Sequence, residues 1–336
     1  MLIPELSTDE IQVTTGANEG MYAVFTGLLA PGDEVIVFQP FFDQYISNIE
    51  LTGAKVVYGK INPPADFDKR TVTGDEWTID WEAFENLITP KTKMVVINSP
   101  HNPIGKVFNR SELQKIGDLA LKYNFYIVSD EVYENLYYGD FVRIATLSPE
   151  IARRTLTVGS AGKSFAATGW RIGWIIGDKE VIPYVSAAHT RICFSTPAPF
   201  QEGVASALND ALTNGYYEKT REEYIHKYKI FTSVFDELGL PYTKADGGYF
   251  LLVNFKKVKL PEDIVYPAEI KDKKKDFRLA YWLIQEFGVV SIPPSEFYLE
   301  EDGKVIEDSL RFAVCKDDSV LEEAVVRLRG LKKFIE

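Results

Sequence analysis

Ser160, Lys163 and Arg171 stand in the run Ser160-Ala161-Gly162-Lys163-Ser164-Phe165-Ala166-Ala167-Thr168-Gly169-Trp170-Arg171. The lysine follows the apolar β-type residues Thr155 to Val158 and sits among small neighbours, which let a bulky group approach the backbone. A lysine amine can condense with an aldehyde, and a serine and an arginine can hold an anion. Together they suit an aldehyde cofactor that carries a phosphate, and pyridoxal 5′-phosphate (PLP) fits that description.

Gly162-Lys163-Ser164 could pass for the end of a P-loop. That loop needs a glycine five residues before its second glycine, and the residue there is Thr157. The P-loop would also open directly into a helix, whereas Thr168 to Gly177 reads as a further strand. The competing bland reading, a surface lysine in a tight turn, is removed only by the rest of the chain.

Elements that could position such a site are legible in the hydrophobic pattern. Over the first 200 or so residues, strand-like runs alternate with helical ones. Glu10–Thr15, Glu34–Phe38, Lys55–Tyr58, Met94–Asn98, Tyr126–Asp130 and Leu156–Ser160 read as strands. Glu19–Leu29, Asp43–Leu51 and Ser111–Lys122 read as helices, with Ser111 as N-cap of the last. Runs apolar on both faces imply a mostly parallel sheet covered by helices. Several of these runs end in polar residues, and ligands of open α/β sheets bind at the carboxyl edge. Asn98-Asn102, Asp130-Tyr133 and Ser160-Lys163 should therefore converge on one crevice.

Beyond about Pro197 the pattern changes. Gln201–Leu212, Tyr217–Leu238 and Phe277–Phe287 read as helices, and Tyr249–Asn254, Val289–Ile292 and Leu310–Val314 as strands. Lys256–Lys275 reads as an exposed insertion, with Lys271–Lys275 a solvated face. No internal repeat or low-complexity segment interrupts this organisation.

Composition narrows the class of protein. The 336 residues are 46% hydrophobic and 26% charged, enough for a large core and two domains. No apolar run is long enough for a bilayer span, which speaks against a membrane partner. A net charge of −12 argues against a nucleic-acid partner. Cys193 and Cys315 build no disulfide framework, so a reducing compartment, cytoplasmic or mitochondrial, is expected. His101, His189 and His226 are scattered and show no metal-ligand spacing, so no metal is expected.

Six ordered segments carry a resemblance to a known family: VTTGANEG (13–20), DEVIVFQPFFDQY (33–45), NSPHNPIGKVF (98–108), SDEVYE (129–134), SAGKSFAATGWRIGW (160–174) and LRFAVCKDD (310–318). The chain resembles the class I/II, fold type I PLP-dependent aminotransferases, and among them the kynurenine aminotransferases of fungal type. The resemblance implies the PLP-dependent transferase fold. That is an α/β protein with a large, mostly parallel seven-stranded sheet and a smaller C-terminal α/β domain. The large PLP-binding domain would span 10–208 and the small one 209–336.

The resemblance also implies roles. Lys163 carries the cofactor and moves a proton once a substrate displaces it. Asp130 faces the pyridine nitrogen and keeps it protonated. Asn102 and Tyr133 donate to the phenolic oxygen, with Asn102 also near the substrate, and Phe42 stacks on the ring. Ser160, Arg171 and the backbone of Ala17 and Asn18 hold the phosphate, with Gly16 permitting the turn. Arg171 stands where mammalian relatives have lysine, which keeps the charge and changes the hydrogen-bond geometry. Arg311 takes the substrate α-carboxylate, and Asn98 fixes the backbone behind the site.

The expected activity moves an amino group from kynurenine, or another aromatic or glutamine-like amino acid, to a 2-oxo acid such as 2-oxoglutarate, in a homodimer. Family members carry roughly 80 further residues ahead of the first strand, and these contribute to the small domain and to the partner's site. Two alternatives stand beside this reading: a cysteine-S-conjugate β-lyase on the same cofactor, and a catalytically weak PLP-fold binding module lacking that leading segment.

Overall fold

The computed structural model describes residues 6–335. Two sheets organise it. The larger is built from β1 (Ile11–Thr14), β2 (Glu34–Gln39) and β3 (Lys55–Asn62). The short β4 (Val72–Thr73) belongs to the second sheet. The first continues with β5 (Thr78–Ile79), β6 (Thr92–Asn98), β7 (Tyr126–Asp130), β8 (Thr155–Ser160) and β9 (Gly173–Ile176). The second is completed by β10 (Tyr242–Lys244), β11 (Phe250–Asn254) and β12 (Ser309–Ala313).

The order in the larger sheet is β1-β9-β8-β7-β6-β2-β3-β5. The block β8-β7-β6-β2-β3 is parallel throughout, β9 is antiparallel to both its neighbours, and β5 is antiparallel to β3. Seven main strands are therefore extended by an eighth of two residues, which the sequence pattern was too short to reveal.

The central strands alternate between two helical layers. Val35, Val37, Met94 and Val96 pack with Met21, Phe25, Ile49 and Val185, from the helices Ala17–Leu28, Asp43–Glu50 and Ile182–Ile192. Ile36, Phe38, Val95 and Ile97 face the other way, onto Leu113, Ile116 and Ala120 of the helix Arg110–Tyr123, and onto Trp77 and Phe84. Each such side chain, wholly buried, contributes about 1.5–3 kcal/mol of apolar transfer. That double burial is why these strands read as continuous apolar runs.

The second sheet has the order β12-β11-β10-β4. The long helix Tyr216–Leu238, the helix Lys275–Phe287 and the helix Asp318–Leu328 pack on it, through Phe231, Phe235, Leu279, Leu283 and Leu321. β4 runs parallel to β10 and is drawn from inside residues 10–208, while residue 209 lies within the helix Ala198–Ala211.

Four local expectations are corrected. The expected strand over Thr168–Gly177 is a 3-10 turn, Thr168–Trp170, followed by β9 from Gly173, because Arg171 takes a left-handed φ of 55° that no strand allows. The chain after Ser160 also opens into one helical turn, Ala161–Ser164. The helix Arg110–Tyr123 is capped by Asn109, not Ser111: the Asn109 side chain accepts from the Glu112 amide at 3.0 Å, and Glu112 returns the bond. Val289–Ile292 makes only a single bridge, Ile292 to Arg311. Lys256–Lys275 is largely exposed, as expected, with Ala268–Lys271 forming a helical turn within it and Lys275 paired with Asp308 at 2.6 Å.

No helix among the described residues is long and apolar enough to cross a membrane.

Candidate active site

The strand ends converge as the pattern required. β6 and β7 are in parallel register with Asn98 opposite Asp130, and the Asn98 amide donates to the Asp130 carbonyl at 2.9 Å. Asn98 Oδ1 also accepts from the Asn102 backbone at 2.8 Å, which fixes the loop after β6. β7 and β8 place Asp130 beside Val158, two residues before Ser160.

Asp130 is buried at the end of β7. Its carboxyl accepts from the Tyr45 hydroxyl and, at 3.2 Å, from the Val132 amide. Burial pushes its pKa up to about 6, against the pull of those two bonds and of the Lys163 charge. A carboxylate in this position gains from any cation presented to it.

Lys163 lies in the helical turn after β8, partly buried. Its Nζ donates to the Tyr249 hydroxyl at 3.1 Å and stands 5.8 Å from the centroids of both the Tyr133 and Tyr249 rings. Those two rings meet edge-on at 5.2 Å. Burial, and then Tyr249, push the Tyr133 hydroxyl well above its usual pKa, so it stays a neutral donor.

Arg311 projects from β12 across to the larger sheet. Its Nη1 donates to Asn102 Oδ1 at 2.9 Å, and its guanidinium lies 4.3 Å from the Phe250 ring and 4.9 Å from the Phe297 ring. Burial lowers its pKa, but an arginine remains a cation. Its Nε is buried without a hydrogen-bond partner. Such an orphan is costly unless a ligand completes it.

A cradle lies at the start of the helix Ala17–Leu28. Gly16 is its N-cap with φ 82°, and a Cβ there would stand 2.2 Å from Arg171 Nη2. A Cβ on Gly173 would stand 2.6 Å from the Ala17 amide nitrogen. Two glycines thus keep the Arg171 guanidinium and the first helical amides close together. Ser160 ends β8 directly opposite Gly173. Asn18 opens the same helix, with its side chain bonded to Gln44 and Asn48 at 3.4 Å. Positive charge, a hydroxyl and free helix-start amides are the donor set for a phosphate. Phe42 caps the helix Asp43–Glu50, half-buried, in edge contact with Tyr45 at 5.6 Å.

Every residue singled out from sequence therefore falls around the carboxyl edge of the larger sheet or on β12 facing it. Two participants escaped that reading. Tyr45 lies three residues after Phe42 in the same motif, so its spacing on a helix was an available signal. Tyr249 precedes β11, in another part of the chain, and only the tertiary structure brings it to Lys163.

The fold, with a lysine, a buried carboxylate and an arginine whose Nε lacks a partner gathered at one sheet edge, matches a known class of enzyme, and the comparison with known sequences agrees. The profile of the family "Aminotransferase class I and II" matches residues 3–328, and the chain belongs to that family. It is a transaminase. A Saccharomyces cerevisiae protein named "Probable kynurenine--oxoglutarate transaminase BNA3" is 63% identical over 333 residues, covering 98% of this chain and 75% of that protein. The kynurenine–oxoglutarate transaminase of Dictyostelium discoideum is 36% identical over 335 residues, 96% of this chain and 77% of its own. The crystal structure of yeast Bna3p superposes with a TM-score of 0.96, covering 98% of this chain and 78% of the other.

Proposed function

We propose that the enzyme is a PLP-dependent aminotransferase acting on kynurenine or a similar aromatic amino acid, with a 2-oxo acid such as 2-oxoglutarate as acceptor. The single observation that carries the cofactor reading is the cradle: Gly16 and Gly173 leave room for no Cβ against the Arg171 guanidinium and the Ala17 amide, at the start of the helix and opposite Ser160. The substrate reading rests on the relatives, whose names specify kynurenine and oxoglutarate.

Bound there, the cofactor supplies the electron sink that loss of a Cα proton requires. Lys163 would hold it through Nζ, and the same amine would be placed to take a proton from the substrate Cα. Asp130 would hold a proton on the pyridine nitrogen, and that cation would relieve the burial cost of the carboxylate's own charge. Asn102 Oδ1 is taken by Arg311, so its Nδ2 would be free to donate, beside Tyr133, to the phenolic oxygen. Phe42 would cover one face of the ring. Arg311 binds the α-carboxylate of donor and acceptor alike, with its unpaired Nε completing the fork.

A homodimer is part of the proposal. Trp170 and Phe200 form an aromatic pair with centroids at 5.6 Å, 44% and 42% exposed, next to Arg171, and such a face suits a second copy. A reducing compartment, cytoplasmic or mitochondrial, accords with the free Cys193 and Cys315.

Borohydride treatment of PLP-loaded protein should fix a pyridoxyl group on the peptide containing Lys163, and an amino-donor panel should release oxo acid from kynurenine. A label on another lysine would overturn the cofactor reading. A panel silent on aromatic donors would overturn the substrate reading alone.

A further inference from the structure

Three metal-ligating side chains meet behind the phosphate cradle. Glu19 lies in the first turn of the helix Ala17–Leu28, His189 in the last turn of the helix Ile182–Ile192, and Cys193 at the C-cap of the latter. Glu19 and His189 are 170 residues apart in sequence, which is why no spacing motif announced them. In the fold, His189 Nδ1 is 3.1 Å from either Glu19 oxygen and 3.4 Å from Cys193 Sγ. The three ligand atoms all lie within 4.8 Å of one another. His189 is buried, while Glu19 and Cys193 are half-buried, so the cluster keeps a path to solvent.

These separations can be set against a coordination polyhedron. With zinc–nitrogen and zinc–oxygen bonds of about 2.0–2.1 Å and a zinc–sulfur bond of about 2.3 Å, a tetrahedron has N···O edges of roughly 3.4 Å and N···S edges of roughly 3.6 Å. The two observed edges fall short by only a few tenths of an ångström. Imidazole, carboxylate and thiolate from one residue each form a borderline-soft set, which suits zinc over magnesium or calcium. The Thr15 hydroxyl, 3.4 Å from the sulfur, can donate a hydrogen bond to a coordinated thiolate.

We propose that Glu19, His189 and Cys193 form a zinc(II) site, with solvent in the fourth position. Binding releases the thiol proton to water and moves the Nδ1 proton that now bridges His189 and Glu19 to Nε2, or to water if the ring is protonated, with no electron transfer. Glu19 also links the site to the active centre. Its Oε2 accepts from the Thr15 amide at 2.8 Å, so Oε1 is the oxygen left for the metal. An occupied site would hold Glu19, and through it the Thr15–Gly16 turn that leads into the cradle. Slower loss of PLP in the presence of zinc follows, and this coupling alone rests on the cofactor reading above.

Zinc binding is tested first on full-length, cofactor-free protein by titration calorimetry. One equivalent should bind, and cobalt(II) should show the visible d–d bands of a four-coordinate thiolate site. Outer-shell substitutions already weaken metal sites about 10–100-fold, so Cys193→Ser and His189→Gln should each cost at least about 100-fold. In the unaltered protein, zinc should protect Cys193 from iodoacetamide, a readout independent of any variant's folding. Absence of binding at micromolar zinc, binding indifferent to both substitutions, or alkylation of Cys193 at the same rate with and without zinc would each overturn the site. If zinc binds as described but PLP release is unchanged, the site stands and its coupling to the cradle fails.

Discussion

Asp130→Asn gives a test that needs no turnover. In cofactor-free protein the Asp130 carboxyl is raised from the ordinary 3.8 to about 6, with burial as the largest cause. Each pKa unit corresponds to about 1.36 kcal/mol, so the folded state bears about 3 kcal/mol for ionising this group. The sign follows from which state binds the proton. Below pH 4 or so the carboxyl is protonated in both folded and unfolded chains, and no penalty exists. Between roughly pH 4 and 6 the unfolded chain ionises while the folded one keeps its proton, so stability falls as pH rises. Above pH 6 the full cost is present.

Asparagine can still accept from Tyr45 and Val132 but does not titrate. Its buried amide adds a cost of about 1–3 kcal/mol if unpaired, yet that cost is the same at every pH. The parent should therefore lose about 3 kcal/mol relative to the variant between pH 4 and 7. Urea unfolding of both cofactor-free proteins, repeated in pH steps, measures this difference directly. A difference that stays flat with pH would refute the account of the buried carboxyl. Adding PLP should reverse the advantage, because only the carboxylate gains a cationic partner. The loaded variant should lose roughly 100-fold or more in turnover.

Three other substitutions probe separate parts of the site. Arg311→Lys keeps the charge and loses the fork, so kcat/KM should fall by about 1–3 kcal/mol for donor and acceptor alike, with PLP content unchanged in the absorption spectrum. An effect on one substrate only would contradict a shared carboxylate site. Gly16→Ala places a Cβ against the Arg171 guanidinium at a positive φ, and a backbone strain of about 1–3 kcal/mol should raise the PLP dissociation constant roughly 5- to 100-fold. Unchanged PLP affinity in a fluorescence titration would show that the cradle is elsewhere. Tyr249→Phe removes the acceptor of the Lys163 bond but keeps the ring packing, so kcat should fall about 3- to 10-fold and the acylation rate of Lys163 in cofactor-free protein should change. Identical acylation rates in parent and variant would dismiss the bond.

How much of this was visible in the sequence depended on chain locality. The doubly buried strands β2, β6, β7 and β8 announce themselves because each carries apolar residues on both faces. Their polar ends located Asn98, Asp130 and Ser160 without reference to any relative. The run after Lys163 misled because Ile172, Trp174 and Ile175 look like strand residues, while the left-handed backbone at Ala166 and Arg171 has no compositional signal. β4 and β5 are too short to show a period, and β4 joins the second sheet only through β10, far along the chain. Tyr249 at Lys163, and Glu19 beside the i, i+4 pair His189 and Cys193, are tertiary products that no local pattern encodes.

The arginine held between two aromatic rings has a consequence for how substrates are told apart. Phe250 and Phe297 flank the Arg311 guanidinium, and Asn102 pins one of its nitrogens. Its rotational freedom has been surrendered on folding, so a substrate carboxylate, in the role proposed for Arg311, would find a preorganised fork and bear little ordering entropy. That advantage is the same for every amino acid and every 2-oxo acid, since all present the same group. The clamp therefore lends affinity without selectivity. Discrimination between an aromatic donor and any other must reside in the walls that meet the side chain, which can change over evolutionary time while the clamp and the lysine stay fixed.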